Sequence, residues 1–174
     1  RLATPERHLG LTPCAEVEGA GERVREIGRV VASQVDLARL RELAATAVLP
    51  RLPIAALASG HPRRELRIGI ARDRAFGFYY ADDIDAFREA GAELVAFDTL
   101  ADAELPEADG LFIGGGFPEA CMAELEANAA LRAALRGAIA AGLPTYAECG
   151  GLMVLSRSIT WQGRSAQMVG AIPG

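Results

Sequence analysis

Residues 147–153, Ala-Glu-Cys-Gly-Gly-Leu-Met, constrain this chain more than any other stretch. They follow a short apolar run, Leu143-Pro144-Thr145-Tyr146-Ala147, which reads as a strand. They lead into Leu152-Met153-Val154-Leu155, which reads as a helix. A cysteine among small residues at such a junction has the form of a nucleophile elbow. Small neighbours let the backbone turn sharply and pack closely, so the side chain stands out at the edge of the sheet. A thiol there lies at a helix N-terminus, whose partial positive charge favours the thiolate. The amide of Gly150 then points where an oxyanion would form. The alternative is a buried structural cysteine, since cysteine is among the most buried residue types. The Gly150-Gly151 pair speaks against that, because a plain strand-to-helix turn has no obvious use for it.

From Arg64 onward, strand and helix patterns alternate. Leu66 to Ala71 reads as a buried first strand, and Asp82 to Ala90 as a helix closed by Gly91. Glu93 to Phe97 and Gly110 to Ile113 read as strands. Glu119 to Ala141 reads as one helical stretch, ended by Gly142 and Pro144. The alternation predicts an α/β domain with a parallel sheet and helices on both faces. Such sheets bind ligands at the carboxyl ends of their strands, and Cys149 and Gly114-Gly115-Gly116 both fall there.

The triple glycine follows Leu111-Phe112-Ile113. Three successive glycines cost backbone entropy, and turning amides toward a negative charge is one reason to accept it. No Lys-Ser or Lys-Thr follows, so the loop is not a Walker motif. Gly69 has no G-x-G-x-x-G partners, so the Rossmann fingerprint is absent too. The better reading is the second half of an oxyanion hole, with an amide of Gly115 or Gly116 joining that of Gly150. A tight connecting loop is the plain alternative.

Residues 1–62 read differently. Glu22 to Ala32 and Val35 to Ala45 carry helical patterns, with Ser33 as N-cap of the second. Val35, Leu37, Leu40, Leu43 and Ala44 form its apolar stripe. Pro50, Pro53, Ser59-Gly60 and Pro62 then punctuate a linker. The first 45 residues have too little apolar surface for a core of their own. They are expected to be the tail of an upstream domain, with the second domain running over 63–174. The chain starts at Arg1 without a methionine and reads as a fragment.

The net charge of −5 and the lack of a basic run speak against nucleic acid as a partner. No apolar run approaches membrane-spanning length, and the N-terminus has no signal-peptide pattern. Cys14, Cys121 and Cys149 are widely spaced and odd in number, without a CxxC pair, which suits a reducing cytoplasm. No metal site is assigned.

Four segments together carry a resemblance to a known family. They are Glu6-Arg7-His8-Leu9-Gly10-Leu11, Ala75-Phe76-Gly77-Phe78-Tyr79-Tyr80, Gly114-Gly115-Gly116-Phe117-Pro118-Glu119, and Tyr146 to Met153; Met168-Val169-Gly170 fits as well. Their order and separations resemble the carboxy-terminal half of the cobyrinic (or hydrogenobyrinic) acid a,c-diamide synthases. That half contains a class I glutamine amidotransferase domain of the cobyric-acid type. The sister cobyric acid synthases resemble the chain less around Cys149. The resemblance implies a flavodoxin-like three-layer domain, present in part, behind the helical tail of a synthetase domain. It implies an upstream ATP- and magnesium-using site that activates corrin carboxylates, with no cofactor bound by this stretch. Glutamine and the corrin would be its substrates in cobalamin biosynthesis, and it allows a homodimer.

By the same resemblance, Cys149 attacks the glutamine amide and forms a thioester. The amides of Gly115, Gly116 and Gly150 stabilise the oxyanion. Phe78, Tyr79 and Tyr80 line the glutamine pocket or face the synthetase domain, unless they are simply core. The family's histidine base lies downstream, beyond Gly174. His8 belongs to a synthetase-side motif and His61 to the linker, so this chain alone is expected to be inactive. Glu148 should leave its strand on the side away from Cys149, which makes it a poor triad acid. A cysteine peptidase or chaperone-like relative on the same fold, and a non-catalytic binding module, remain as alternatives.

Overall fold

The computed structural model describes residues 19–48 and 66–174. The chain divides into two compact units, Arg1–Ser59 and Gly60–Gly174.

The described part of the first unit is two helices, α1 (Ala20–Gln34) and α2 (Leu37–Ala45). Ser33 does not cap α2. It lies inside α1, and its hydroxyl donates back to the Val30 carbonyl, a common fate for a serine within a helix. Asp36 takes the cap instead, with Oδ1 accepting from the Arg39 amide at 2.9 Å. Its carboxylate reaches the orphan amides of the first turn. The predicted apolar stripe is in the open, with Leu40 and Leu43 both more than half exposed.

In the second unit, β1 (Arg67–Ala71), β3 (Glu93–Phe97), β4 (Gly110–Ile113) and β6 (Thr145–Ala147) form one sheet in the order β3-β1-β4-β6. Every pair is parallel. Strand β4 is buried along its whole length, so its alternate side chains build both faces. Leu111 and Ile113 join a core with Met122, Leu125, Leu131, Leu135 and Val154. Phe112 points the other way, 5.6 Å from the ring of Phe87 on α3 (Ala81–Glu89) and 5.4 Å from that of Tyr146. Helices therefore cover both faces of the sheet. Gly91 and Gly142 close their helices at φ 86° and 94°, the left-handed cap that glycine adopts without a side-chain penalty.

The stretch from Glu119 to Ala141 is not one helix. A 3-10 turn (Pro118–Cys121) runs into α4 (Met122–Ala127), and α5 (Ala129–Ala140) starts afresh after Asn128. The Asn128 side chain makes the break. Its amide donates to the carbonyls of Thr99 and Asp102, and its oxygen accepts from the Leu131 amide to cap α5. Two small antiparallel pairs also lie outside the predicted alternation. Strand β2 (Phe76–Phe78) pairs with β5 (Gly115–Gly116), and β7 (Ser158–Trp161) with β8 (Arg164–Gln167). The first pair ties the loop after β1 to the triple glycine.

Candidate functional site

Strand β6 ends at Ala147, and α6 (Gly150–Leu155) begins three residues later. The turn between them is sharp enough to force Cys149 to φ 49° and ψ −116°. A side chain at positive φ is strained by about 1–3 kcal/mol. Such strain persists where the surroundings over-determine the backbone, and here they do. The Glu148 amide donates to the Ile113 carbonyl, Gly151 donates to the carbonyls of Gly114 and Glu148, and Met153 donates to that of Cys149. The side chain of Cys149 is exposed, whereas Cys121 is buried. Cys14 lies outside the described residues.

The Gly150-Gly151 pair has a use after all: α6 starts against the backbone of the loop after β4. A Cβ on Gly151 would stand 2.2 Å from the Ile113 carbonyl oxygen, and one on Gly150 would stand 2.8 Å from that of Gly116. Backbone cannot yield at those distances. Gly116 is crowded from the other side, where a Cβ would meet the Ala75 carbonyl at 1.8 Å. The elbow and the triple glycine are thus in direct contact at the carboxyl end of the sheet. A Cβ on Gly115 would lie 3.8 Å from Cys149 Cβ and 3.3 Å from Phe78 Cβ.

The two loop amides are not equivalent. The Gly114 carbonyl accepts from Gly151 at 3.1 Å. In a trans peptide the following N–H points the opposite way, so the Gly115 amide faces away from α6, and Gly115 itself pairs with Phe78. Gly116 lies against the elbow: its carbonyl oxygen and nitrogen are 2.8 and 3.1 Å from the Cβ position of Gly150. Among the described residues the Gly150 amide has no backbone acceptor.

The aromatic run that begins at the end of β2 splits three ways. Phe78 is partly exposed beside Gly115, edge-on to Phe117 at 5.3 Å. Tyr80 is largely exposed at the N-cap of α3. Tyr79 turns inward. Its hydroxyl donates to the Ala71 carbonyl and accepts from the Gly114 amide at 3.1 Å. Burial pushes its pKa up to about 12, with the nearby Asp73 charge acting in the same direction. The hydroxyl of Tyr79 is thus engaged beneath the loop, while Phe78 flanks the elbow.

Asp73 supports the same region. Its Oδ1 accepts from the amides of Ala75 and Phe76 at 2.7 and 3.1 Å, and Oδ2 from the Thr99 amide and hydroxyl at 2.6 and 2.7 Å. An aspartate just past a strand, accepting from amides two and three residues on, is a turn signature readable in the sequence. On the α3 side of the sheet, Tyr146 donates to Glu148 at 3.2 Å, and this contact raises the Tyr146 pKa. Both line a cleft of about 430 Å³ with Asp83, Ala86, Phe87, Ala90 and Phe112. His8 and His61 lie outside the described residues. Among the described residues no group of three or more His, Cys, Asp or Glu side chains is placed to hold a metal, and no helix is long and apolar enough to cross a membrane.

Residues 67–174 match the model of the CobB/CobQ-like glutamine amidotransferase domain. Along 97–99% of its length the chain is similar to curated proteins named cobyrinate a,c-diamide synthase. It is 49% identical over 173 residues to that of Magnetococcus marinus, 44% over 190 to that of Methanosarcina acetivorans, and 41% over 174 to that of a Synechocystis species. The chain covers only 37%, 38% and 36% of those relatives. A solved structure titled a putative peptidase E from Listeria monocytogenes aligns at TM-score 0.47 and 13% identity over 64% of this chain and 65% of that one.

Proposed function

The chain belongs to the CobB/CobQ-like glutamine amidotransferase domain family, and we propose that it carries the glutaminase nucleophile of a cobyrinic or hydrogenobyrinic acid a,c-diamide synthase. The observation that carries this reading is the strained, exposed Cys149 at a strand-to-helix turn, packed on the triple-glycine loop.

In this reading the Cys149 sulfur attacks the side-chain amide carbon of glutamine, and the carbonyl electrons move onto oxygen. The amide of Gly150 and one from the loop hold that oxyanion; the Gly115 amide faces away from α6, which makes Gly116 the loop donor in this reading. Removing one such donor typically costs about 2.7–4 kcal/mol of barrier. Collapse expels ammonia, which leaves with a proton from a histidine base, and water then hydrolyses the thioester to glutamate and free thiol. By the family resemblance that histidine lies beyond Gly174. Phe78, exposed beside Gly115, would border the glutamine side chain in this reading.

The rest of the assignment concerns the longer protein. The chain's match over about 37% of its relatives' length supports a larger enzyme. Residues 1–62 would be the tail of a synthetase domain and 63–174 part of the glutaminase domain. That synthetase domain would use ATP and magnesium to activate the a and c carboxylates of the corrin, in the cytoplasm.

The test is a paired assay of the full-length protein and its Cys149→Ala variant, with glutamine or ammonium as nitrogen donor. Expected is loss of glutamine-dependent amidation with ammonium-dependent amidation kept. A variant that still uses glutamine removes Cys149 as nucleophile. A full-length protein that hydrolyses no glutamine points to a binding module on the same fold.

A further inference from the structure

Three glycines in a row cannot hold a loop in one shape by themselves, because each has wide φ/ψ freedom. An oxyanion donor must nevertheless point in one direction. The restraint must come from outside the loop. We propose that Tyr79 is a positioning residue of the glutaminase site, whose hydroxyl fixes the Ile113–Gly114 peptide and so sets the direction of the loop amide beside Cys149. This inference rests on the glutaminase reading of Cys149.

The Ile113–Gly114 peptide is held at both ends. Its N–H donates to the Tyr79 hydroxyl at 3.1 Å, and its carbonyl accepts from Glu148, the residue before Cys149, at 3.1 Å. The next peptide is held through the Gly114 carbonyl by Gly151. One side of the loop is therefore fastened to the elbow, and the other to Tyr79. The tyrosine is itself fastened: its hydroxyl donates to the Ala71 carbonyl at the end of β1, and its ring stands edge-on to Phe112 at 5.2 Å. The ring lies against the α-carbon of Gly114, where a Cβ would be 2.5 Å from Tyr79 Cε1. A tyrosine that bound glutamine would keep its hydroxyl for the ligand. This one donates to one carbonyl and accepts from one amide, both in the protein.

The experiment compares Tyr79→Phe, Phe87→Leu and Cys149→Ala in the full-length protein. Tyr79→Phe keeps the ring and removes only the hydroxyl. Its kcat for glutamine hydrolysis should fall about 10- to 100-fold, the range for a misaligned donor, with KM changed by less than about threefold. Phe87→Leu loosens the same aromatic cluster through Phe112 without touching the loop. It should lower the melting temperature while leaving kcat within about twofold. Hydrogen exchange across residues 110–118 supplies a second readout that needs no turnover, and Tyr79→Phe should speed exchange there more than Phe87→Leu does. An unchanged kcat in Tyr79→Phe, a rise in KM alone, or equal exchange in the two variants overturns the positioning role. Glutamine hydrolysis by Cys149→Ala overturns the underlying reading instead, so the two failures are distinct.

Discussion

Replacing Cys149 by glycine should make the protein more stable while removing its thiol. The side chain sits at φ 49° and ψ −116°, where an L-residue carries about 1–3 kcal/mol of strain. Glycine is free of that strain but loses about 0.5–1 kcal/mol relative to alanine through its more flexible unfolded chain. Cys149→Ala keeps the Cβ and the strain, and it leaves no cavity because the thiol is exposed. The difference between the two variants isolates the backbone term: Cys149→Gly should exceed Cys149→Ala by about 1 kcal/mol, and by at most about 2.5 kcal/mol. At about 2–4 °C per kcal/mol for a domain of this size, the melting temperatures should differ by several degrees. Urea denaturation followed by fluorescence of Trp161, the single tryptophan, measures it in the same unit of the fold. A glycine variant less stable than the alanine variant would refute the strained elbow, and with it the main structural support for a nucleophile at this position.

Gly151→Ala should destabilise by about 2–3 kcal/mol, since its Cβ would meet the Ile113 carbonyl at 2.2 Å. Gly137→Ala, inside α5 with open space around it, should stabilise by about 0.5–1 kcal/mol. Chemical denaturation checks both, and equal effects would mean that the packing of α6 on the loop is not as described. Asp73→Ala should cost at least about 2 kcal/mol, because four donors lose a charged acceptor; an effect under about 0.5 kcal/mol would make that network incidental. Tyr79 predicts a pH dependence. Its folded pKa of about 12 lies above the ordinary tyrosine value of 10.0, so its contribution is fully present below pH 10 and is lost as pH rises toward about 12. Tyr79→Phe should lack that alkaline slope in denaturation measured at successive pH values, and an identical slope in both proteins would contradict it.

Strands β3 and β4 were legible to the residue, because short apolar runs bounded by turns leave few other solutions for buried parallel strands. The break at Asn128 was not, because it is made by carbonyls of Thr99 and Asp102 more than twenty residues away. Ser33 and Asp36 are both good caps by type, and only the end of α1 decides between them. The pairing of β2 with β5 has no local signal at all: Gly115-Gly116 becomes a strand only because Phe76 and Phe78 lie beside it. The β7–β8 hairpin does have one, in Gln162-Gly163 with both residues at positive φ between two alternating runs. At the site, Cys149 could be read from its small neighbours. The division of labour within Phe78-Tyr79-Tyr80 could not, since it depends on which ring reaches back beneath the loop.

The glycines at 114–116 and 150–151 carry two explanations that join into one. Sterically, Gly150 and Gly151 let α6 begin in contact with the loop after β4, where a Cβ on either would strike a carbonyl oxygen, and Gly116 lets that loop lie against the Ala75 carbonyl. Chemically, in the proposed reading, that same closeness of the Gly150 and Gly116 backbones would let their amides serve one oxyanion beside Cys149. A bulkier loop would separate the elbow from its second donor, and a freer one would leave the donor without a direction. The hydrogen bonds from Glu148 and Gly151 across to Ile113 and Gly114 address the first problem, and the Tyr79 hydroxyl addresses the second. Cys149→Gly and Tyr79→Phe therefore probe different halves of one device. The first should raise stability by relieving the turn that exposes the sulfur. The second should leave that turn intact and slow the chemistry by loosening the amides that the turn faces.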